Sequence, residues 1–176
     1  MDKPMHPLLF RGMAIEFRLR DLFSPPGKTL AEVGIRPGSV VLDFGCGPGG
    51  YSMAAAEQVG ASGKVYALDI HPLAIRAVRR RAAKRALTNI ETILSDRATG
   101  LSGGCGDVAL LYDTLHDAGD RKGILEELHR VLKADGLLSF RDHRAQKDDL
   151  LSTIPGTGLF RPARKGERTY TFWKTP

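Results

Sequence analysis

The chain has only two cysteines, Cys46 and Cys105, no C-x-x-C pair, and no apolar run approaching the roughly 20 residues that cross a bilayer. Two isolated cysteines set among glycines exclude a disulfide-stapled fold and make a poor metal site, so no metal is expected. Each reads as a small residue in tight backbone. The stretch MDKPMHPLLFRGMAIEFRLRDLF has charges spaced through its apolar residues, which excludes the unbroken apolar centre of a secretory signal and points to a cytoplasmic protein. Internal repeats and low-complexity tracts are also missing. With 176 residues there is no room for a nucleotide domain beside a separate substrate domain. Residues 1–176 are therefore expected to form one domain, with 1–28 an amino-terminal helix and linker and 29–176 the core.

What is present is an ordinary globular composition, 42% hydrophobic and 26% charged, with a formal charge of +6. Much of that charge is local. In IRAVRRRAAKRAL, Arg76, Arg80 and Lys84 share one helical face, while Leu73, Ala74, Ala77 and Val78 fill the other. The favoured reading is a solvated face over a buried stripe; contact with nucleic acid or an anionic membrane is the less favoured one.

Short β-branched or apolar runs alternate with amphipathic stretches, the pattern of an α/β fold. It predicts a Rossmann-like, doubly wound, seven-stranded sheet, mostly parallel, with an antiparallel carboxyl-terminal hairpin strand and an extra amino-terminal helix. That helix spans about Pro7 to Phe23, with Leu8, Leu9, Ile15, Leu19 and Leu22 at roughly helical spacing, and SPPGK stops it. Strands are expected at SVVLDF, GKVYALDI, NIETILSD, DVALLYD and LLSFRD, and the tail GLFRPARKGERTYTFWK supplies two more. The stretch DRKGILEELHRVLKADG predicts a helix capped by Asp120 and ended by Gly136.

The first strand runs into glycines in VLDFGCGPGGYS, Val41 to Ser52. Gly45, Gly47 and Gly50 satisfy the G-x-G-x-x-G spacing of a dinucleotide site. Their neighbours disfavour it. Asp43, two residues before Gly45, would repel a pyrophosphate, and Pro48 removes an N–H that such an anion would use. A cationic amino acid carrying a nucleoside suits these residues better.

The stretch VVLDFGCGPGGYS resembles the first motif of the class I S-adenosylmethionine-dependent methyltransferases. GKVYALDIHPLAI is similar to the second motif, LSDRATGL to the third, DVALLYDTLHD to the fourth, and LHRVLKADGLL to the helix-to-strand element that follows. The resemblance implies S-adenosylmethionine as cofactor, with S-adenosylhomocysteine as product. It also implies roles for particular residues. The backbone of Gly45, Cys46 and Gly47 would line the methionine and ribose, with Asp43 near the amino group. Asp69 would accept from both ribose hydroxyls, as an ionised carboxylate can, and Ile70 and His71 would flank the adenine. Asp96 and the Arg97 backbone would meet the adenine edge, and Asp113 would lie under the sulfonium.

Displacement at a sulfonium needs alignment, and a base only where the acceptor carries a proton. Catalytic candidates are His116, the best-placed base by its ordinary pKa, and Asp113; Tyr112, Asp117, Arg141, Asp142 and His143 stand near them in sequence. YDTLHD replaces the Asn-Pro-Pro-Tyr type of the amino-methylating branch, and FRDH supplies no lysine for ribose methylation. Asp113 with Asp142 is only part of the acid set of a metal-dependent enzyme. LHRVLK and LHD look most like the small-molecule branch, the methyltransferase type 11 or quinone-biosynthesis-like group; the two cysteines count against arsenite. A small-molecule acceptor is therefore expected. An RNA methyltransferase and an S-adenosylmethionine-binding protein without transfer activity are the alternatives, and a homodimer is left open. With no inserted cap in view, the lid falls to a partner subunit or to the amino-terminal helix, through Met13, Phe17 and Arg18.

Overall fold

The computed structural model describes residues 4–143 and 149–176, apart from the side chain of Arg18. A seven-stranded sheet organises them, in the order β3-β2-β1-β4-β5-β7-β6. The strands are β1 (Val40–Phe44), β2 (Lys64–Asp69), β3 (Ile90–Leu94), β4 (Gly106–Tyr112), β5 (Leu132–Arg141), β6 (Phe160–Lys165) and β7 (Tyr170–Lys174). The first five are parallel, β7 lies antiparallel against β5, and β6 closes the edge antiparallel to β7. Strand number, direction and the terminal hairpin agree with the sequence expectation.

Six helices accompany the sheet among the described residues: α1 (Pro7–Phe23), α2 (Pro26–Leu30), α3 (Gly50–Val59), α4 (Pro72–Lys84), α5 (Arg121–Val131) and α6 (Leu150–Gly156). The continuous apolar character of β1 follows from its central place. Val41 packs on one side of the sheet with Tyr51 and Val59 of α3, while Leu42 and Phe44 pack on the other with Leu125 and Leu128 of α5. Because β1 pairs with β2 on one side and β4 on the other, the direction of winding reverses there. A crevice opens at the carboxyl ends of the strands at such a point, and the glycine turn of β1 lies in it.

Several boundaries differ from the sequence reading. Helix α5 ends at Val131, five residues before Gly136, and β5 begins at once. Its first residue, Leu132, pairs with Gly106, and regular pairing resumes only at Leu137 opposite Val108. The intervening bulge in β5 is pinned by Lys133, whose ammonium lies 2.5 Å from Asp107 Oδ1. Strand β3 stops at Leu94 rather than Asp96, and the short helices α2 and α6 have no periodic signal long enough to show. In α1 the leucines at helical spacing face outward; Phe10, Met13 and Phe17 turn inward, and Phe10 is buried, stacked on the His71 ring with centroids 4.3 Å apart. Helix α4 buries Ala74 and Val78 of the expected stripe, together with Ile75 and Ala82, beneath an exposed basic face, while Leu73 and Ala77 are only half-buried. No helix of the described residues is long and apolar enough to cross a membrane.

Candidate active site

The site is built first from backbone. Gly45 sits at φ +77°, and the space where its Cβ would stand is filled by the Thr114 side chain. Gly45 N–H and Cys46 N–H both donate to the Leu68 carbonyl at 2.9 Å, which ties the turn to the end of β2. Gly47 N–H donates to Asp69 Oδ2 at 2.8 Å, and His71 N–H donates to Asp69 Oδ1 at 2.7 Å. One carboxylate therefore joins the two loops. Each of its oxygens keeps lone-pair capacity for a further donor, as a ribose-binding role requires. His71 caps α4 by accepting from Leu73 N–H at Nδ1, and its Nε2 lies 3.0 Å from the Met5 carbonyl oxygen. Asp69 itself is therefore not the helix cap.

A cleft of about 450 Å³ opens beside these loops. It brings together Gly45, Gly47, Asp69, Ile70, His71, Asp96 and Asp113, seven of the residues the sequence singled out. Asp43 and Cys46 line a small recess of about 20 Å³ next to it. Arg97 and His116 line neither, and the Arg97 side chain is instead paired with Asp120. Sequence reasoning missed Phe10, Ser95 and Thr114 on the cleft wall, although Ser95 directly precedes the chosen Asp96. Met13 and Phe17 do face the cleft, as the lid expectation required, whereas the Arg18 side chain lies outside the described residues.

Burial sets the electrostatics at the glycine end. Asp43 is 2% exposed and accepts the Ser52 hydroxyl at 2.5 Å. Desolvation pushes its pKa up to about 7, against the lowering effect of that hydrogen bond, and the nearby Asp69 charge pushes in the same upward direction. Asp69 is also raised by burial, with the two backbone donors acting against the shift. Burial likewise raises the Cys46 thiol and the Tyr112 phenol. Both stay protonated at neutral pH, so neither is a ready base.

The opposite rim carries polar side chains. Asp113, directly after β4, lies in the left-handed region at φ +49°, unusual for a residue with a side chain. Its Oδ2 lies 3.2 Å from an Arg20 guanidinium nitrogen of α1, and its Oδ1 accepts the His143 N–H at 3.0 Å. His116 Nδ1 lies 2.9 Å from Asp142 Oδ2, and the His116 and His143 rings meet edge to face at 4.5 Å. The imidazole of His116 thus stands between two carboxylates, since its Nε2 lies 3.2 Å from Asp117 Oδ2. His116, Asp142 and His143 also bring one ligand atom each within 4.8 Å of one another. The His116 imidazole stands behind the cleft wall, with Asp117 between it and the cleft.

A parallel sheet in this order, with a glycine turn at β1 and paired carboxylates at the ends of β2 and β3, defines an α/β domain of the nucleoside-cofactor class. Residues 35–159 match the family described as Methyltransferase domain, and the chain belongs to that family. Among its relatives, aklanonic acid methyltransferase DauC of Streptomyces sp. (strain C5) is 32% identical over 123 residues, covering 68% of this chain and 56% of the relative. The ubiquinone/menaquinone biosynthesis C-methyltransferase UbiE of Hydrogenovibrio crunogenus is 35% identical over 107 residues, covering 60% of this chain and 42% of the relative. The chain thus spans about half the length of the curated relatives it matches. A SAM-dependent methyltransferase from Aquifex aeolicus shares the fold with a TM-score of 0.82 at 24% identity, over 97% of this chain and 98% of that one.

Proposed function

We propose that the chain transfers a methyl group from S-adenosylmethionine to a small-molecule acceptor and releases S-adenosylhomocysteine. The observation that carries this reading is Asp69: one carboxylate fixes the glycine turn and the β2 loop while facing a cleft that also holds Asp96 and the glycines. Asp69 takes the ribose hydroxyls, Ile70 and His71 flank the adenine, and Asp96 meets its edge. The Arg97 backbone belongs to that end only through its neighbour Asp96. Gly45, Cys46 and Gly47 border the methionine, with Asp43 near its amino group at the recess. Phe10, Met13 and Phe17 give the cleft an apolar roof.

Asp113, fixed by Arg20 and His143, lies at the sulfonium end. His116 is set behind the cleft wall and meets the cleft through Asp117, whose Oδ2 lies 3.2 Å from His116 Nε2, so a proton from an acceptor that carries one reaches His116 by way of that carboxylate. The relatives named for aklanonic acid and for ubiquinone/menaquinone biosynthesis favour a small organic acceptor over RNA. Calorimetry with S-adenosylhomocysteine and with NAD tests the donor: micromolar binding of the first and none of the second is expected, and the reverse would sink the reading. Methyl release with quinols, phenols, thiols, carboxylates and RNA then identifies the acceptor. Where that acceptor carries a proton, His116→Ala should lower kcat by about 10²–10⁴ while leaving S-adenosylhomocysteine affinity unchanged.

A further inference from the structure

Helix α1 is apolar on two sides, and only one of them is accounted for by the cleft. Phe10, Met13 and Phe17 face inward. On the other side Leu8, Leu19, Leu22 and Phe23 are 67%, 55%, 75% and 89% exposed, values far above what an ordinary covering helix leaves in water. With 3.6 residues per turn, Leu8, Ile15, Leu19 and Leu22 fall within about 60° of arc, so they form one continuous stripe.

Ile15 carries that stripe into a groove of about 410 Å³ between α1 and α4. The floor of the groove is apolar, from Phe10, Ala14 and Leu73, and its rim holds Arg11, Arg76 and Arg80. Among the described residues, no salt bridge or side-chain hydrogen bond engages these three arginines. An exposed apolar stripe is thus bordered on one side by uncompensated guanidinium groups. Two copies of this surface would set like charges together on a chain already at +6, which opposes self-association.

We propose that α1 and the basic face of α4 form a docking surface for an anionic phospholipid membrane. The leucine stripe enters the boundary between headgroups and acyl chains, and Arg11, Arg76 and Arg80 stand at headgroup level, where planar guanidinium groups bind phosphate oxygens in pairs. The helix that roofs the cleft then lies parallel to the bilayer surface. Attraction of this kind depends on both the apolar area and the lipid charge, and salt weakens it.

Co-sedimentation of the full chain tests the proposal, using vesicles of phosphatidylcholine alone and of equimolar phosphatidylcholine and phosphatidylglycerol at low salt. Binding to the anionic vesicles and little to the neutral ones is expected. R76Q/R80Q should lower the partition by about 25-fold, at roughly fivefold for each charge, and L8Q/L19Q by about tenfold or more. All four side chains are exposed, so the melting temperatures of both variants should match the parent. Absence of binding to the anionic vesicles overturns the proposal, as does binding that survives both double variants. So does a concentration-dependent dimer that L8Q/L19Q abolishes, since a second copy would then occupy the stripe. RNA binding lost in R76Q/R80Q without vesicle binding would assign the arginines to a different partner and equally overturn it. Methyl transfer is read in none of these measurements, so their outcome is independent of the proposed activity.

Discussion

On the β1–β2 side of the cleft one carboxylate ties two loops together through their backbone, whereas on the β4–β5 side most polar contacts run from side chain to side chain. Asp69 accepts two loop N–H groups, and Asp43 is buried against a hydroxyl at the foot of α3. Across the cleft, Asp113 meets Arg20 and His143, and His116 meets Asp142. The first arrangement fixes a surface before any ligand arrives, which lowers the ordering cost of binding. The second leaves groups whose partners can be exchanged. A donor common to many enzymes suits the rigid side, and an acceptor that varies among them suits the other.

The largest expected effect tests how strongly the rigid side is desolvated. Between about pH 4 and pH 7 the unfolded chain has released the Asp43 proton while the folded chain retains it, so fewer protons are bound on unfolding and stability falls as pH rises. For this group the fall amounts to about 3–4 kcal/mol, taken from a shift of about three units in a fully buried carboxyl. Thermal melts of the parent and Asp43→Asn at about pH 5 and pH 8 check it: the parent should lose stability relative to the variant at the higher pH. Parallel curves would remove the buried proton from Asp43.

Backbone constraint comes next. Gly49→Ala places a Cβ 2.7 Å from Val78 Cγ2 at φ +83° and should cost about 2–3 kcal/mol. Gly104→Ala, at φ +69° with open space around it, should cost only about 1 kcal/mol, the strain alone. Equal losses in denaturant melts would mean that the glycine turn is no tighter than an ordinary loop.

Asp69→Ala should weaken S-adenosylhomocysteine binding by about 1–3 kcal/mol, through the lost ribose acceptor and the released Gly47 N–H. Calorimetry measures this, and an unchanged affinity would refute the role given to Asp69. The smallest effect belongs to the other rim. Arg20→Ala removes a partly exposed pair with Asp113 and should change stability by no more than about 1 kcal/mol. A larger loss in thermal unfolding would show that the acceptor rim is as rigid as the donor rim, and the contrast between them would fail.

Much of the fold was legible because its signals are local. The continuous apolar run of β1, the periodicity of α4 and the glycines after Phe44 each depend on a few neighbouring residues, and all three stand where the sequence put them. Seven site residues lie on one cleft because a strand end fixes its own loop. Boundaries were harder where tertiary contacts override propensity. The helical pattern of LHRVLKADG continues past Val131, yet pairing of Leu132 with Gly106 ends the helix early. His116 and Asp142 are 26 residues apart, and nothing in either neighbourhood announces their contact. Arg20 similarly reaches Asp113 across 93 residues.

The sequence by itself determined the seven-stranded α/β architecture, the glycine turn and the carboxylates at the ends of the strands, since period and turn chemistry are properties of short segments. Only the tertiary structure decided which face of α1 turns inward. Both faces are apolar, so periodicity alone could not choose between them. The choice came from the stacking of Phe10 on His71 and the pairing of Arg20 with Asp113, contacts that exist only once the sheet has brought its strand ends together.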